Sequence, residues 1–318
     1  MKTINYNKYG SQDEMYWADL VIPKPITNQI LVNVKAISLN PIDWKIRKGE
    51  MKLFINKKFP KGIGTDFSGI VENVGSKLSK FKEGDEVFGW LPYKMAGSVS
   101  EFVIADEGLT VKKPANMSFA EASTLPMACI ASITALVDGG KIKKGMNVLI
   151  NGCTGGVGQF AVMIAKTHGA IVTGTCNTSS NESAKQIGVD HIIDYSKVNV
   201  LKGNKKFDII FDTVGNLKLG ESKIIMNSYS IFLELNPNPI NLIFGSVKNI
   251  FTGKKVKSII AKASPEKMET IKKLATEGKL NPIISKEYIF DNALEAYKNL
   301  ENGEKNIGKT VIINYEKK

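Results

Sequence analysis

The sequence predicts an α/β fold that combines a small β-barrel with a doubly wound parallel sheet. Three observations support this prediction. Short strand patterns separated by glycine and proline fill residues 30–114, strand and helix patterns alternate after residue 145, and the chain has 318 residues. Closely spaced strands are typical of barrels, whereas alternating strands and helices form parallel sheets. A chain of this length usually divides into two domains.

The strands of the predicted barrel are short and bounded by turn-forming residues. Their sequences are ILVNVKAISLN, DFSGIVENVG, DEVFGW, SVSEFVIAD and LTVKKP. Each is rich in β-branched or aromatic residues, as a half-buried strand requires. The last stretch, from Ser264 to Asn314, predicts a helix, a short strand, a helix and a final strand. These elements can return to the first domain.

Residues 118–138 predict two helical pieces that break at Pro126. Ser118 is the expected N-cap of the first piece, and Glu121, three residues later, completes a capping box. This segment separates the predicted barrel from the predicted parallel sheet.

The parallel sheet is predicted from six strand patterns: MNVLI, AIVTGT, HIIDY, DIIFDTV, YSIFLEL and KSIIAK. Most of them are joined by helix-like stretches. In the helix after the first strand, Val157, Phe160, Ala161, Ile164 and Ala165 recur at steps of three and four. This spacing predicts one apolar face that packs on a sheet.

Composition and charge exclude several classes of protein. Hydrophobic residues make up 43% and charged residues 23%, a globular balance, and no apolar run reaches the length of a membrane span. The N-terminus lacks an apolar signal core, so we expect a cytoplasmic protein. The net charge is +12, but the lysines are scattered, which indicates a solvated surface and no nucleic-acid partner. The three cysteines form no C-x-x-C pair.

A glycine-rich loop lies between the first strand of the predicted sheet and the patterned helix. The segment reads NVLINGCTGGVG, residues 147–158, with a cysteine where G-x-G-x-x-G places its first glycine. Glycines at such a turn let the backbone approach a pyrophosphate, and the helix N-terminus behind them attracts negative charge. A tight turn that only packs the helix on the strand is the alternative. The predicted cofactor-binding residues of the loop are Gly152, Gly155, Gly156, Val157 and Gly158.

The end of the second strand bears on the choice of cofactor. NAD sites usually place a carboxylate there to hold the ribose 2′-hydroxyl, but this chain has none before Glu182. The polar residues after this strand would offer hydrogen-bond donors to a 2′-phosphate, which favours NADPH over NADH. The alternative is that these residues form an ordinary N-capping loop. The predicted contacts are Thr175, Asn177, Ser179, Ser180, Lys185 and, from further away in sequence, Lys309.

Four segments resemble the quinone oxidoreductase branch of the medium-chain dehydrogenase/reductases, of the alkenal/enone reductase and chloroplast-envelope type. They are SLNPIDWKIRKGE, FPKGIGTDFSGIVENVG, FKEGDEVFGW and LPMACIASITALVDGGKIKKGMNVLINGCTGGVG. The resemblance implies a GroES-like barrel domain and an inserted Rossmann domain. We expect the first to comprise residues 1–122 and 266–318 and the second residues 123–265. The resemblance also implies a homodimer joined through an edge strand such as KSIIAK.

The resemblance further implies roles for individual residues. Asn40, Asp43 and Lys45 of the N-P-x-D-W-K segment are the predicted catalytic residues, with Lys45 as donor to the substrate carbonyl. A surface lysine on a turn is the alternative for Lys45, and a helix N-cap or a structural salt bridge is the alternative for Asp43. Trp90 and Tyr93 are the predicted walls of the substrate cleft. Thr134, Tyr195, Val214 and Gly215 are predicted to contact the cofactor, the last two because they follow the carboxyl end of a strand.

Zinc is not expected. A catalytic zinc needs about three protein ligands, mostly histidine and cysteine, yet neither residue occurs before Cys129. The chemistry predicted for such a site is hydride transfer to a quinone or an α,β-unsaturated carbonyl compound. An enoyl-thioester reductase, an aldehyde or ketone reductase, and a cofactor-binding adaptor that associates with RNA or membranes remain alternatives.

Overall fold

The computed structural model describes residues 1–52, 55, 58–75, 79–235, 254–303 and 307–314. The chain divides into two compact units. The first unit comprises Met1–Met127, Ala263–Gly278 and Ile284–Lys318, and the second comprises Ala128–Lys262 and Lys279–Ile283.

The strands are numbered along the chain. They are β1 (Lys2–Tyr6), β2 (Met15–Asp19), β3 (Gln29–Ser38), β4 (Lys61–Gly62), β5 (Asp66–Val74), β6 (Glu86–Trp90), β7 (Phe102–Asp106), β8 (Thr110–Lys112), β9 (Asn147–Asn151), β10 (Ile171–Cys176), β11 (His191–Asp194), β12 (Phe207–Asp212), β13 (Met226–Glu234), β14 (Lys255–Ser258), β15 (Ile284–Ile289) and β16 (Lys309–Ile313). The α-helices are α1 (Pro41–Lys48), α2 (Phe119–Ser123), α3 (Leu125–Ile133), α4 (Gly158–Thr167), α5 (Asn181–Gln186), α6 (Leu219–Ser222), α7 (Pro265–Thr276) and α8 (Ala293–Glu301).

The first unit is built on a set of mostly antiparallel strands in the order β15-β16-β3-β5-β6-β8, with β7 also paired to β3. The predicted barrel strands are therefore present, and the C-terminal strand β16 belongs to this unit because it pairs with β3. A second sheet, β2-β1-β4, was not predicted. Its sequence is rich in polar residues, yet Ile4 and Tyr6 are fully buried in the core of the unit.

The second unit is a six-stranded parallel sheet in the order β11-β10-β9-β12-β13-β14. The strand order reverses between β9 and β12, and ligands bind at the carboxyl ends of strands at such a point. Helix α4 is buried along residues 158–165, more completely than a single apolar face requires. Its one polar residue in that stretch, Gln159, is satisfied because its amide oxygen accepts the Ile283 N–H at 2.7 Å.

Two predicted boundaries are wrong. The helical segment breaks at Thr124, whereas Pro126 lies in the first turn of α3, where a missing N–H costs little. The strand predicted at KSIIAK lies two residues earlier, at Lys255–Ser258. It ends there because its partner β13 ends at Glu234, whose carbonyl accepts the last ladder bond from Ile259. Within the described residues, no helix is long and apolar enough to cross a bilayer.

Candidate active site

The glycine-rich loop in the second unit is shaped by close backbone contacts. Gly152 has φ +79°, a left-handed conformation that favours glycine. A Cβ added at Gly158 would lie 2.0 Å from the carbonyl oxygen of Gly152, and one at Gly155 would lie 3.3 Å from the same oxygen. A side chain at position 158 would collide with the backbone, so this position needs glycine, whereas a Cβ at position 155 would require only a small shift.

The loop presents a row of backbone donors. The N–H of Gly155 bonds to Gly152 O at 3.1 Å, and the next bonded N–H among the described residues is that of Gln159, to Gly155 O. Gly156, Val157 and Gly158 lie between them, at the N-terminus of the ten-residue helix α4. Three successive N–H groups at a helix N-terminus are suited to an anion. The loop therefore fits the pyrophosphate of a dinucleotide.

A polar network under the loop fixes its position. Thr175 on β10 accepts the Gly152 N–H at 2.9 Å and donates to Asn151 Oδ1 at 2.7 Å. The amide nitrogen of Asn151 donates in turn to Asp212 at 2.8 Å. Thr175 is thus buried behind the loop. The sequence analysis singled out Thr175 but not Asn151 or Asp212.

Asp212 also shapes the loop after β12. One carboxylate oxygen accepts the N–H groups of Val214 and Gly215 at 3.1 and 2.9 Å, and the other accepts the Leu217 N–H at 3.0 Å. Gly215 has φ +88°, and Val214 is half-exposed beside Gly152. Asn151 and Asp212 could have been found, because each is a polar residue that ends an otherwise apolar strand.

The polar stretch predicted at the end of the second strand of the parallel sheet directly follows β10. Asn177 accepts the hydroxyls of Ser179 and Ser180, and Ser179 is exposed while Ser180 is buried. Lys185 is exposed and paired with Glu182 at 2.8 Å, so its charge is partly compensated within α5.

A carboxylate that the sequence analysis missed lies at the same edge. Asp194 ends β11, the neighbour of β10, and accepts a hydrogen bond from the Thr178 hydroxyl. Hydrogen bonds from Ser196 and Thr178 hold the pKa of Asp194 below its usual value, so it is ionised at neutral pH. Tyr195 follows it, is 56% exposed and bonds through its N–H to Cys176 O. An ionised carboxylate therefore lies beside the polar stretch that follows β10.

Thr134 begins a π-helical segment, Thr134–Gly139, that continues α3. Such segments are rare in proteins, and those that do occur are often found at functional sites. The sequence pattern gave no sign of it.

The N-P-x-D-W-K segment in the first unit forms the start of α1. Asn40 is the N-cap, and Asp43 at position N3 accepts the Asn40 N–H at 2.9 Å. Asp43 also accepts the Tyr297 hydroxyl at 3.1 Å and that of Thr65 at 3.3 Å. These contacts make Asp43 a helix-capping residue in the core, which is the alternative that the sequence left open.

A second carboxylate joins this cluster. Asp66 accepts the Asn40 amide at 2.9 Å and the Met127 N–H at 3.1 Å. The ammonium of Lys309 donates to Asn40 Oδ1 at 2.6 Å and to Leu39 O at 3.1 Å. We call Asn40, Asp43, Asp66 and Lys309 the buried polar cluster; each is at most 4% exposed.

Burial changes the acidity of this cluster. It raises the pKa of Asp43 to about 6 and that of Asp66 to about 7, because a carboxylate loses its hydration there. Lys309 opposes both shifts through its positive charge. Two carboxylates thus face one ammonium, and both carboxyl groups are weaker acids than exposed ones. The prediction that Lys309 contacts the cofactor remains untested.

The remaining predicted residues of the first unit are Lys45, Trp90 and Tyr93. Lys45 is half-buried on α1. Trp90 is 8% exposed and meets Tyr93 edge to face, with ring centroids 5.2 Å apart. Tyr93 donates to the Met127 sulfur at 3.8 Å, and burial raises its pKa, with Asp43 and Asp66 adding to the effect. The Trp90 indole N–H is buried and has no acceptor among the described residues.

In the described part of the chain, no group of three or more His, Cys, Asp or Glu side chains is arranged to hold a metal ion.

Comparison with known proteins agrees with this geometry. A family model described as an alcohol dehydrogenase GroES-like domain matches residues 27–115, and one described as a zinc-binding dehydrogenase matches residues 187–312. The chain is 32% identical over 308 residues to the chloroplast envelope quinone oxidoreductase homolog of Arabidopsis thaliana, covering 93% of this chain and 94% of that protein. It is 32% identical over 325 residues to 2-methylene-furan-3-one reductase of Solanum lycopersicum, covering 98% and 79%. The structure of the quinone oxidoreductase from Coxiella burnetii matches it with a TM-score of 0.87 at 28% identity, covering 99% of each chain.

The fold and the anion-binding loop define a nicotinamide-dinucleotide-dependent oxidoreductase with a GroES-like domain and a Rossmann domain. The chain belongs to the quinone oxidoreductase family of the medium-chain dehydrogenase/reductases. The predicted family and fold class are thereby confirmed.

Proposed function

We propose that this protein is an NADPH-dependent reductase that acts without zinc and transfers a hydride to a quinone or an α,β-unsaturated carbonyl compound. The row of donors at Gly156–Gly158 carries the proposal, because it fits a pyrophosphate at the switch point of the sheet. The names of the two plant relatives, a quinone oxidoreductase homolog and a 2-methylene-furan-3-one reductase, support the substrate class.

The chain's residues would hold the cofactor along the carboxyl edge of the parallel sheet. The loop N–H groups bind the pyrophosphate, and the hydroxyl and amide groups of Asn177 and Ser179 face the 2′-phosphate. Tyr195 and Val214 are both more than half exposed, and their side chains offer apolar surface to the cofactor. When bound, the nicotinamide ring supplies a hydride from its C4 atom, and the protein orients it.

The substrate needs a donor for the oxygen that becomes negative as the hydride is added. We propose Lys45 as that donor, because an ammonium stabilises a developing enolate. The unpaired indole N–H of Trp90 is a second candidate. Asn40 and Asp43 act as positioning residues for Lys45. They cap the N-terminus of α1, and Lys45 lies on that helix half a turn after Asp43.

Absorbance at 340 nm tests the proposal. The purified protein is incubated with NADPH or NADH and a benzoquinone, a naphthoquinone, a 2-alkenal or a saturated aldehyde, with and without chelator. We expect NADPH oxidation with a quinone or the alkenal, unaffected by chelator. Turnover of an enoyl thioester alone would indicate the larger-substrate reductase. Tight NADPH binding without any turnover would indicate an adaptor.

We also propose a homodimer. Strand β14 is the last strand of the parallel sheet in the described residues and pairs with β13 on one side. A second copy of β14 could extend the sheet by edge pairing. Native mass spectrometry distinguishes the dimer from a monomer.

A further inference from the structure

Two of the three cysteines lie side by side at the carboxyl edge of the parallel sheet. Cys153 belongs to the glycine-rich loop, where it takes the position of the first glycine in G-x-G-x-x-G, and Cys176 ends β10. Both are free thiols and at most 2% exposed. Neither takes part in the proposed hydride transfer, although one of them lies within the loop that fits the cofactor.

The backbone and a glycine bring the two side chains together. The Cys153 N–H donates to Thr175 O at 3.0 Å, so the loop runs beside the end of β10 as a neighbouring strand would. Neighbouring strands lie about 4.8 Å apart, within the Cα separation of about 4.4–6.8 Å that a disulfide spans. A Cβ at Gly174 would lie 2.6 Å from Cys153 Sγ. The Cys153 side chain therefore fills the space that Gly174 leaves, on the same face of β10 as Cys176, two residues later.

The two thiols interact and differ in acidity. Burial raises the pKa of both, and the neighbouring Cys176 thiol raises the pKa of Cys153 further. At Cys176 the hydrogen bond with Cys153 opposes the effect of burial, while the charge of Asp194 adds to it. Cys176 is therefore the thiol that loses its proton more easily, and it also donates to Asn181 Oδ1 at 3.4 Å. Because the sulfurs are in hydrogen-bond contact, a bond between them needs no large movement of the backbone.

We propose that Cys153 and Cys176 form a site of reversible oxidation, at which a peroxide closes a disulfide that weakens cofactor binding. The inference rests on the proposed function in taking the glycine-rich loop as the cofactor site. The Cys176 sulfur gives up its proton and attacks a peroxide oxygen; the O–O bond breaks, and the released hydroxide takes up a proton and leaves as water.

The resulting sulfenic acid on Cys176 is then attacked by the Cys153 sulfur. The S–O bond breaks, and the second hydroxide leaves as water with the proton of Cys153. Two thiols are thus oxidised to one disulfide, and one hydrogen peroxide is reduced to two water molecules. A dithiol reductant reverses the step by thiol–disulfide exchange.

The disulfide disturbs the loop near its middle. A covalent bond holds two sulfurs much closer than a hydrogen bond does, so Cys153 is drawn towards β10. Cys153 directly follows Gly152, whose N–H is fixed by Thr175 Oγ1 at 2.9 Å, and the displacement therefore falls on the residues that lead to the donors at Gly156–Gly158. Bound cofactor opposes the oxidation, because a ligand that prefers the reduced loop stabilises it.

Mass spectrometry and NADPH fluorescence titration on the same samples test the inference. After treatment of the folded protein with hydrogen peroxide, we expect the loss of two hydrogen atoms and a peptide pair that joins Cys153 to Cys176. The dissociation constant for NADPH should rise at least about tenfold. Dithiothreitol should restore both mass and affinity, and saturating NADPH should slow the oxidation.

The third cysteine provides the matched control. Cys129 is also fully buried, but it lies on α3, outside the loop. Cys129→Ala should keep the response to peroxide, whereas Cys153→Ala and Cys176→Ala should each lose it, every variant being compared with its own untreated sample.

Three results would overturn the inference: two thiols that survive peroxide, a disulfide that involves Cys129, or a Cys153–Cys176 disulfide with unchanged NADPH affinity. Each of them leaves the proposed function intact if quinones or alkenals are reduced. Peroxide-dependent loss of NADPH affinity in a protein that reduces none of these substrates would support the inference and refute the proposed function.

Discussion

A 2.9 Å hydrogen bond joins the amide nitrogen of Asn40 to a carboxylate oxygen of Asp66, and both side chains are buried. The amide oxygen of Asn40 accepts the ammonium of Lys309 at 2.6 Å, so the orientation of the amide is fixed from both sides. Asn40 therefore links the N-terminus of α1 to β5 and β16. This arrangement explains why an asparagine that resembles a catalytic residue is better described as a positioning residue.

Stability should fall as pH rises through the pKa values of the buried carboxylates. Folding raises the pKa of Asp43 to about 6 and that of Asp66 to about 7, so the folded state binds more protons than the unfolded state above pH of about 4. The contribution of these two carboxyl groups to the free energy of unfolding is complete below pH of about 4 and is lost as pH rises through 6 to 7. Urea unfolding from pH 5 to 8 should show a loss of unfolding free energy on the order of 4 kcal/mol from these two groups.

Asp66→Asn tests the origin of this dependence. It removes one buried charge and the repulsion on Asp43, so the slope of unfolding free energy against pH should become much shallower. The exposed Asp19 on β2 provides the control, and Asp19→Asn should keep the wild-type slope. An unchanged slope in Asp66→Asn would show that other groups cause the dependence.

Gly158→Ala should weaken cofactor binding at least about tenfold, because its Cβ would meet the Gly152 carbonyl oxygen at 2.0 Å and displace the loop from the pyrophosphate. NADPH fluorescence titration measures the affinity. Gly220→Ala is a suitable control, since a Cβ there has no neighbour within 4 Å. Equal affinities in the two variants would refute the assignment of the loop.

Ser179→Arg should raise the preference for NADPH over NADH by about tenfold, since an exposed guanidinium after β10 can form paired hydrogen bonds with a 2′-phosphate. Asp194→Asn should act in the same direction by a smaller factor, because it removes an anion from the same edge. The readout is the ratio of kcat/KM values for the two cofactors. Glu269→Gln removes an exposed carboxylate in the other unit and should leave that ratio unchanged.

Lys45→Met should lower kcat with a quinone or alkenal by about 100-fold while the affinity for NADPH stays the same, because it removes the proposed donor to the substrate oxygen. Single-turnover kinetics at 340 nm separate the chemical step from binding. On the same helix, Lys48 is paired with Glu301 at 2.8 Å, and Lys48→Met serves as control. If Lys45→Met retains the wild-type kcat, Lys45 is not the donor to the substrate oxygen, and Trp90 becomes the next candidate.

The amino-acid sequence alone determined the fold class and the position of the glycine-rich turn after β9. Both depend on local patterns: Gly152 and Gly158 are needed by one turn, and the period of apolar residues distinguishes strands from helices. The capping box of Ser118 and Glu121 was predicted for the same reason and is present, with Ser118 Oγ accepting the Glu121 N–H at 3.1 Å.

The tertiary structure decided which distant residues meet. Asp194 reaches Thr178 only because β11 pairs with β10, and Asn40, Asp66 and Lys309 come together only because β16 and β5 flank β3. Local propensity carries no information about such neighbours, because strand order and long-range pairing are fixed by the burial of the whole core.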